Sequence, residues 1–363
     1  MSEIIEPKSP QELASALAEA NAVNRLVIPR GGGTKTDWSN PGARADIVLS
    51  TASLNRVIEH AWADMTVTVE AGCTIEKLQT TLAQHGQRLA IDPLWPERAT
   101  VGGILATNDS GALRLRFGSL RDLIIGITIA LPDGTLAMSG GKVVKNVAGY
   151  DLPKLMTGSL GTLGVTTQAI FRLHPLPAHT RTLSALFPTL EAAQTSMLAI
   201  QDSQLAHTAL QLRTHPAIAV DILFEGTEAG IAAQESFVRT LADFRETPSD
   251  VWSARQQLWP SDDAAIVKFS VLPSEIAEAV ARLKPQSAVV QATGIGHAKL
   301  NTTADIATLR RDLESKGGSL VILTPSDLDT WGSPGDTLPL MRAVKQQFDP
   351  NGILNRGRFV GGI

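Results

Sequence analysis

From Ser9 to Asp92 the apolar positions fall in short blocks whose spacing switches between the helical and the strand period. "SPQELASALAEANA" opens on a Ser-Pro entry signal and predicts a helix, and "LVIP" is a short strand that runs straight into Gly31, Gly32 and Gly33. "DIVLST" reads as a strand, "LNRVIEHA" as a helix, and "MTVTVEAG" as an alternating strand closed by Gly72. "TIEKLQTTLAQHG" follows as a helix, with Thr74 as its N-cap and Gly86 as its stop.

Further along, "LIIGITIALPDGTLAM" predicts a hairpin turning at Asp133-Gly134. The tract "YDLPKLMTGSLGTLGVTTQAIFRL" sets Gly158, Gly161 and Gly164 between a short helix and a β-rich run, and the prolines of "HPLPAHT" break the pattern. From Thr182 to about Thr324, strand-like "TLSALF", "AVDILFEG", "AAIVKFSVLP", "SAVVQATGIG" and "SLVILT" are interleaved with helical segments. That order predicts an antiparallel sheet with helices on one face. The final "LPLMRAVKQQFDPNGILNRGRF" is an amphipathic helix, a Pro-Gly stop and an irregular tail. The chain therefore reads as α+β, with a first domain over 1–175, a smaller second domain over 180–330 and a C-terminal segment over 335–363.

Composition narrows the function classes. At 363 residues, 43% hydrophobic and 19% charged, the chain has the make-up of a well-packed protein of two or three domains. A net charge of −4 with Lys and Arg scattered gives no sign of a nucleic-acid surface. Cys73 is the only cysteine, so this chain alone builds neither a disulfide nor a cysteine-ligated iron–sulfur centre, and it reads as a small buried residue at a strand end. An acidic N-terminus and the lack of a long apolar run suit a cytoplasmic protein that meets a membrane only through partners. Trp62, Trp95, Trp252, Trp259 and Trp331 near predicted loops are candidate interface anchors, with ordinary partial burial the alternative.

Glycine weakens strands and helices alike, so the run "RGGGTK" asks for a tight backbone path or a ligand close to the main chain. It lacks the spacing of a mononucleotide P-loop. "GIGHAK" at 294–299 fails the dinucleotide fingerprint because Lys299 stands where the last glycine belongs. If Gly31, Gly32 and Gly33 expose successive amides they form an anion-binding concavity, to which Arg30, Thr34 and Lys35 add charge and hydroxyl contacts for a pyrophosphate. The glycine tracts at 100–111 and 158–165 then bring bare backbone against a flat ring system.

"PRGGGT" after a strand, "TVGGILATNDSG", "GYDLPKLMTGSLGTLGVTTQAIFRLHP" and the tail "FDPNGILNRGRF" occur in the order and separation of a known family. The sequence resembles the FAD-binding oxidoreductases of the vanillyl-alcohol oxidase type, whose flavin domain is called PCMH-type. The resemblance implies a two-subdomain FAD-binding fold, with the C-terminal segment packing back on it. Arg30, Gly31, Gly32, Gly33 and Thr34 are then expected around the two phosphates. Thr100, Val101, Gly102, Gly103, Ala106, Thr107 and Gly111 are expected along the flavin and ribityl chain, and Gly161, Thr162, Leu163, Gly164 and Val165 against the pyrimidine side of the ring. Many family members attach FAD covalently through a histidine in the first loop. Thr34 stands there in this chain, which implies noncovalent FAD.

Within the family the pattern looks most like the FAD-binding subunits of glycolate-oxidising complexes. That resemblance implies a larger FAD-linked subunit and an iron–sulfur subunit as partners and a small 2-hydroxy acid as substrate. Related catalytic subunits carry a histidine-rich motif suited to a metal, whereas this chain has "GIGHAKLN" with His297 alone, so no metal site is expected. The sequence fixes no catalytic base. The candidates are Tyr150, the only tyrosine, and His297, with Arg121, Arg114 or Arg116 as a cation for a substrate carboxylate; Lys145, Asn146 and Asp151 are also expected near the flavin. Packing roles compete for Tyr150 and His297. A self-sufficient flavin oxidase of another alcohol and a structural subunit with a degenerate flavin fold remain open.

Overall fold

The computed structural model describes residues 2–142, 150–259, 264–301 and 305–363. Two compact units emerge, Met1–Ser110, Phe117–Leu176 and Ser333–Ile363 forming one, Gly111–Arg116 and Pro177–Gly332 the other.

In the first unit, β1 (Glu3–Ile5), β2 (Val27–Arg30) and β3 (Ile47–Ser50) make a parallel sheet with β3 in the middle. The helix Pro10–Ala22 forms because Ser9 caps it, its hydroxyl accepting the Glu12 N–H at 3.1 Å, and because Leu13, Leu17 and Ala20 recur on the face it buries. These side chains join Val27, Ile47 and Leu49 in one core cluster.

An antiparallel sheet follows in the same unit, from β4 (Val57–Ala61), β5 (Thr66–Glu70), β7 (Ile124–Ala130), β8 (Leu136–Gly140) and β9 (Val165–Arg172), in the order β4-β5-β9-β7-β8. A short antiparallel pair joins β6 (Gln87–Arg88) to β10 (His174–Pro175). In β9 burial alternates strictly, so Val165, Thr167, Ala169 and Phe171 face inward and fix the register. The hairpin turns where expected: Ala130 pairs with Leu136, and Gly134 takes the left-handed φ of 87° that the turn requires. The helix Ile75–Ala83 is capped by Thr74, and Gly86, at φ 64°, lies just past its end. One expectation fails. "LNRVIEHA" is not a helix: Val57–Ala61 is the edge strand β4, paired antiparallel with β5 through a bulge at Val57 and Glu59.

Among the described residues the second unit is built on one eight-stranded antiparallel sheet. Its strands are β11 (His179–Leu186), β12 (Ala209–Arg213), β13 (Ala219–Gly226), β14 (Arg245–Glu246), β15 (Ala265–Ser270), β16 (Ser287–Gln291), β17 (Ile295–Leu300) and β18 (Ser319–Ile322). The order is β14-β11-β13-β12-β16-β17-β15-β18, and its core gathers Leu183, Ile222, Phe224, Val267 and Phe269 with the apolar faces of the helices Leu190–Gln201 and Ile276–Leu283. No helix among the described residues is long and apolar enough to cross a membrane.

Candidate cofactor site

Where β2 ends, the chain passes into Gly31–Gly33 along a cavity of about 100 Å³. Four stretches of sequence line it: 28–36 with Ser39, then Thr100, Gly103, Ala106 and Thr107, then Leu160, and finally Asn355 and Arg358 of the tail. All belong to the first unit.

The triple glycine has a geometric reason. A Cβ on Gly31 would lie 2.2 Å from the Thr100 hydroxyl oxygen, and one on Gly32 would lie 1.8 Å from the Arg98 carbonyl oxygen. Gly33 adopts φ 68°, which side chains rarely take. The first loop is thus pressed against the start of the second tract at Gly31 and Gly32, with no volume for a side chain at either. Thr100 in turn caps the helix Val101–Thr107, its hydroxyl accepting the Gly103 N–H at 3.3 Å.

The third tract is tied to the far end of that helix. Gly158 donates to the Leu105 carbonyl at 2.8 Å and Leu160 to the Ala106 carbonyl at 2.9 Å. Leu160 and Gly161 both sit at positive φ, 53° and 66°, so the chain reverses sharply there. The tail then locks the assembly from the other side. Val27 donates to the Ile353 carbonyl at 2.9 Å, Asn355 donates to the Val27 carbonyl at 3.0 Å, and the Asn355 side-chain amide donates to the Leu160 carbonyl at 2.5 Å. Lys345 anchors this tail from the helix Leu338–Phe348. Its ammonium donates to Asp349 Oδ2 at 2.6 Å, to the Thr162 carbonyl at 2.7 Å and to the Leu354 carbonyl at 2.9 Å. Burial pushes the Lys345 pKa down, against the pull of Asp349.

Three cations stand in the lining, and they are not equivalent. Arg30 is exposed at the cavity's rim. Lys35, expected to add charge for a pyrophosphate, is instead committed inside the protein. Its ammonium lies 3.4 Å from Asp109 Oδ2 and 3.2 Å from the Leu94 carbonyl, and 5.5 and 5.4 Å from the ring centres of Trp38 and Trp95. Arg358, which the sequence reading did not single out, donates to the Thr36 carbonyl, and its burial lowers its pKa.

Of the expected cofactor residues, Arg30, Gly31, Gly32, Gly33, Thr34, Thr100, Gly103, Ala106 and Thr107 line the cavity together. Val101, Leu163 and Val165 do not: their side chains are buried in the apolar cores. Gly102 is occupied by the protein itself, donating to the Ala71 carbonyl at 2.7 Å, and Gly164 packs against the Ala130 carbonyl. Gly161 and Thr162 shape the reversal after Leu160 without lining the cavity, and Gly111 falls in the second unit.

The catalytic candidates are dispersed. Tyr150 is 90% exposed, with its carbonyl accepting the Ser139 hydroxyl. Arg121 is an exposed residue of the short helix Leu120–Leu123, and Asp151 caps the helix Leu152–Met156. His297 is 2% exposed and sits in β17 between Lys268 of β15 and Val289 of β16, with its ring 6.3 Å from that of Trp259. Arg114 and Arg116 belong to the second unit. Lys145 and Asn146 lie outside the described residues. Cys73 is fully buried, and burial pushes its thiol pKa up, so it is no nucleophile.

Bare backbone at Gly32 and Gly33, the Thr34 hydroxyl and flanking arginines suit a diphosphate. The family model for an FAD binding domain matches residues 1–139, and the model for the C-terminal domain of FAD linked oxidases matches 333–359. The chain carries the FAD-binding fold of the FAD-linked oxidases. Its cofactor is FAD, and it is an FAD-linked oxidoreductase. A mitochondrial D-lactate dehydrogenase (cytochrome) of Arabidopsis thaliana is 27% identical over 98% of this chain and 73% of the relative. Glycolate oxidase subunit GlcD of Bacillus subtilis is 30% identical over 60% of this chain, and that match spans only 46% of GlcD. A D-2-hydroxyglutarate dehydrogenase of Xanthomonas citri is 26% identical over 97% of this chain and 88% of its own length. Among solved structures, an alkyldihydroxyacetonephosphate synthase shares the fold with a TM-score of 0.72 at 21% identity, covering 97% of this chain and 75% of that one.

Proposed function

We propose that this chain is the FAD-binding subunit of a complex that oxidises a small 2-hydroxy acid, glycolate or D-lactate, of the kind called GlcE in glycolate oxidases. The substrate class is supported by relatives named for D-lactate, glycolate and D-2-hydroxyglutarate. FAD, when bound, supplies the acceptor for the hydride that leaves the hydroxyl-bearing carbon. This chain's part is to hold the cofactor's diphosphate against the Gly31–Gly33 loop and to shape the adjoining backbone.

The observation that carries the subunit role is the placement of the candidate bases. Oxidation needs a group to take the hydroxyl proton, yet His297 is walled into the middle of a sheet and Tyr150 stands in solvent. A larger FAD-linked subunit then supplies the base and the carboxylate clamp, and an iron–sulfur subunit carries electrons onward. The complex would work in the cytoplasm, at the inner membrane through its partners. A self-sufficient dehydrogenase is the second reading, favoured by the alignment with the D-lactate dehydrogenase over 98% of this chain.

A visible spectrum of the purified chain, taken before and after anaerobic addition of glycolate or D-lactate, tests this. Stoichiometric FAD bands that stay oxidised in the isolated chain and bleach once partner subunits are added are expected. Bleaching by the chain alone would overturn the subunit role in favour of the second reading, and a colourless chain would remove the function altogether.

A further inference from the structure

We propose that the C-terminal tail is a working part of the FAD site, with Arg358 facing the cofactor's diphosphate and the Asn355 side-chain oxygen accepting a hydrogen bond from a cofactor hydroxyl. The inference rests on this cavity being where FAD binds, and it extends that reading to residues more than 300 positions from the glycine loop in sequence.

Asn355 carries the first half. It is 7% exposed, it stands in the cavity wall, and its backbone is held at φ 46°. Its amide nitrogen is used, donating to the Leu160 carbonyl at 2.5 Å, while its side-chain oxygen is buried with no hydrogen-bond partner in the protein. Native proteins rarely leave a buried acceptor unmet. The missing partner is a donor, which a diphosphate at neutral pH cannot be and a sugar hydroxyl can. The bond to Leu160 fixes which edge of the amide is left over, so the acceptor is preorganised.

Arg358 carries the second half. Two arginines flank Gly357, and they have different duties. Arg356 is spent on its own turn, donating to the Gly352 carbonyl at 2.8 Å and the Asn351 carbonyl at 2.7 Å. Arg358 reaches across to the first loop, donates to the Thr36 carbonyl and lines the cavity beside Gly33 and Thr34. Gly42 secures the approach, because a Cβ there would meet the Arg358 side chain at 2.5 Å and the Arg356 carbonyl at 2.7 Å. With Lys35 committed to Asp109 and Arg30 exposed, Arg358 is the half-buried cation beside the bare loop; Asp37 already acts on its charge within the protein, and the five N–H donors of a guanidinium allow a phosphate contact alongside the bond to the Thr36 carbonyl.

The test is calorimetric titration of the flavin-stripped full chain with FAD and with ADP, at low and high salt, for wild type, Arg358→Gln and Asn355→Ala. Arg358→Gln is expected to weaken both ligands about tenfold or more and to flatten the salt dependence, as loss of a charge-assisted phosphate contact requires. Asn355→Ala is expected to weaken FAD about tenfold. An equal loss for ADP assigns the hydroxyl to the adenosine ribose, and a loss confined to FAD assigns it to the ribityl chain. Wild-type affinity in either variant overturns that residue's role. Weaker binding by Arg358→Gln with an unchanged salt slope makes Arg358 a brace for the loop and overturns the phosphate contact. A wild-type chain that binds neither ligand sinks the cavity assignment itself, a different failure.

Discussion

Gly32 shows how a single missing side chain decides whether a cavity exists. In sequence terms the three glycines ask for a tight backbone path or for a ligand close to the main chain. The structure adds that the closer neighbour is protein, the Arg98 carbonyl oxygen, 1.8 Å from where a Cβ would stand. A carbonyl anchored ahead of a capped helix cannot swing aside as a flexible side chain can. Gly32→Val is therefore expected to push the loop off the second tract and abolish flavin retention, while far-UV circular dichroism stays near wild type. Gly86 supplies the control, since it has φ 64° and nothing within 4 Å of a Cβ. Gly86→Ala should cost about 1 kcal/mol of left-handed strain and leave the flavin in place. Stoichiometric flavin in desalted Gly32→Val would show that the loop does not need its close approach. Lys35 marks the limit of reading residues singly. Its position beside the glycines suggests a phosphate contact, but of the groups that hold it only Trp38 is near in sequence, and Asp109 and Trp95 come from elsewhere in the chain.

Among elements, the helix Leu338–Phe348 and the turn after it act as a clasp. Asp349 is 1% exposed and accepts three donors: the Lys345 ammonium at 2.6 Å and the N–H groups of Ile353 and Leu354 at 3.0 and 2.8 Å. Removing one partner of a buried pair leaves the other uncompensated, at a cost of about 3–5 kcal/mol. Asp349→Asn is expected to lower stability by that order in urea unfolding, and to weaken FAD retention because the tail loses its anchor. A loss below about 1 kcal/mol would mean that Lys345 finds sufficient compensation in the Thr162 and Leu354 carbonyls. Local pattern marked this helix, and the capped helices at Ser9 and Thr74, because caps and apolar spacing are written within a few residues. It misled at β4, where Leu54, Val57, Ile58 and Ala61 recur at helical spacing. Pairing with β5 overrides that spacing and turns Ile58 out to 44% exposure. β12 escaped notice for the opposite reason: it lies inside the eight-stranded sheet with Ala209, Leu210, Gln211 and Leu212 all buried, so no alternation betrays it.

For the molecule as a whole, the first unit is assembled from both ends of the chain, and the second is carried between them. The glycine tracts and the tail are visible as motifs in the sequence, but the contacts joining tail to loop span more than 300 residues and leave no local signature. Such an arrangement makes the last thirty-one residues, Ser333–Ile363, disproportionately important to the cofactor site. Without them β2 loses its bridge to Leu354, the Leu160 carbonyl loses Asn355, and the Thr162 carbonyl loses Lys345. The second unit, by contrast, keeps every residue of its eight strands and its own core cluster. A chain ending at Gly332 is therefore expected to lose flavin while β11–β18 remain folded. Hydrogen exchange gives the site-specific reading: the Val27 amide, whose partner is the Ile353 carbonyl, should exchange quickly, whereas amides of β12 and β16 stay protected. If the shortened chain instead holds FAD at full stoichiometry, the glycine loops suffice alone and the tail has no part in the site. If β12 and β16 lose protection as well, the sheet's stability depends on the tail, and the two cores do not form separately.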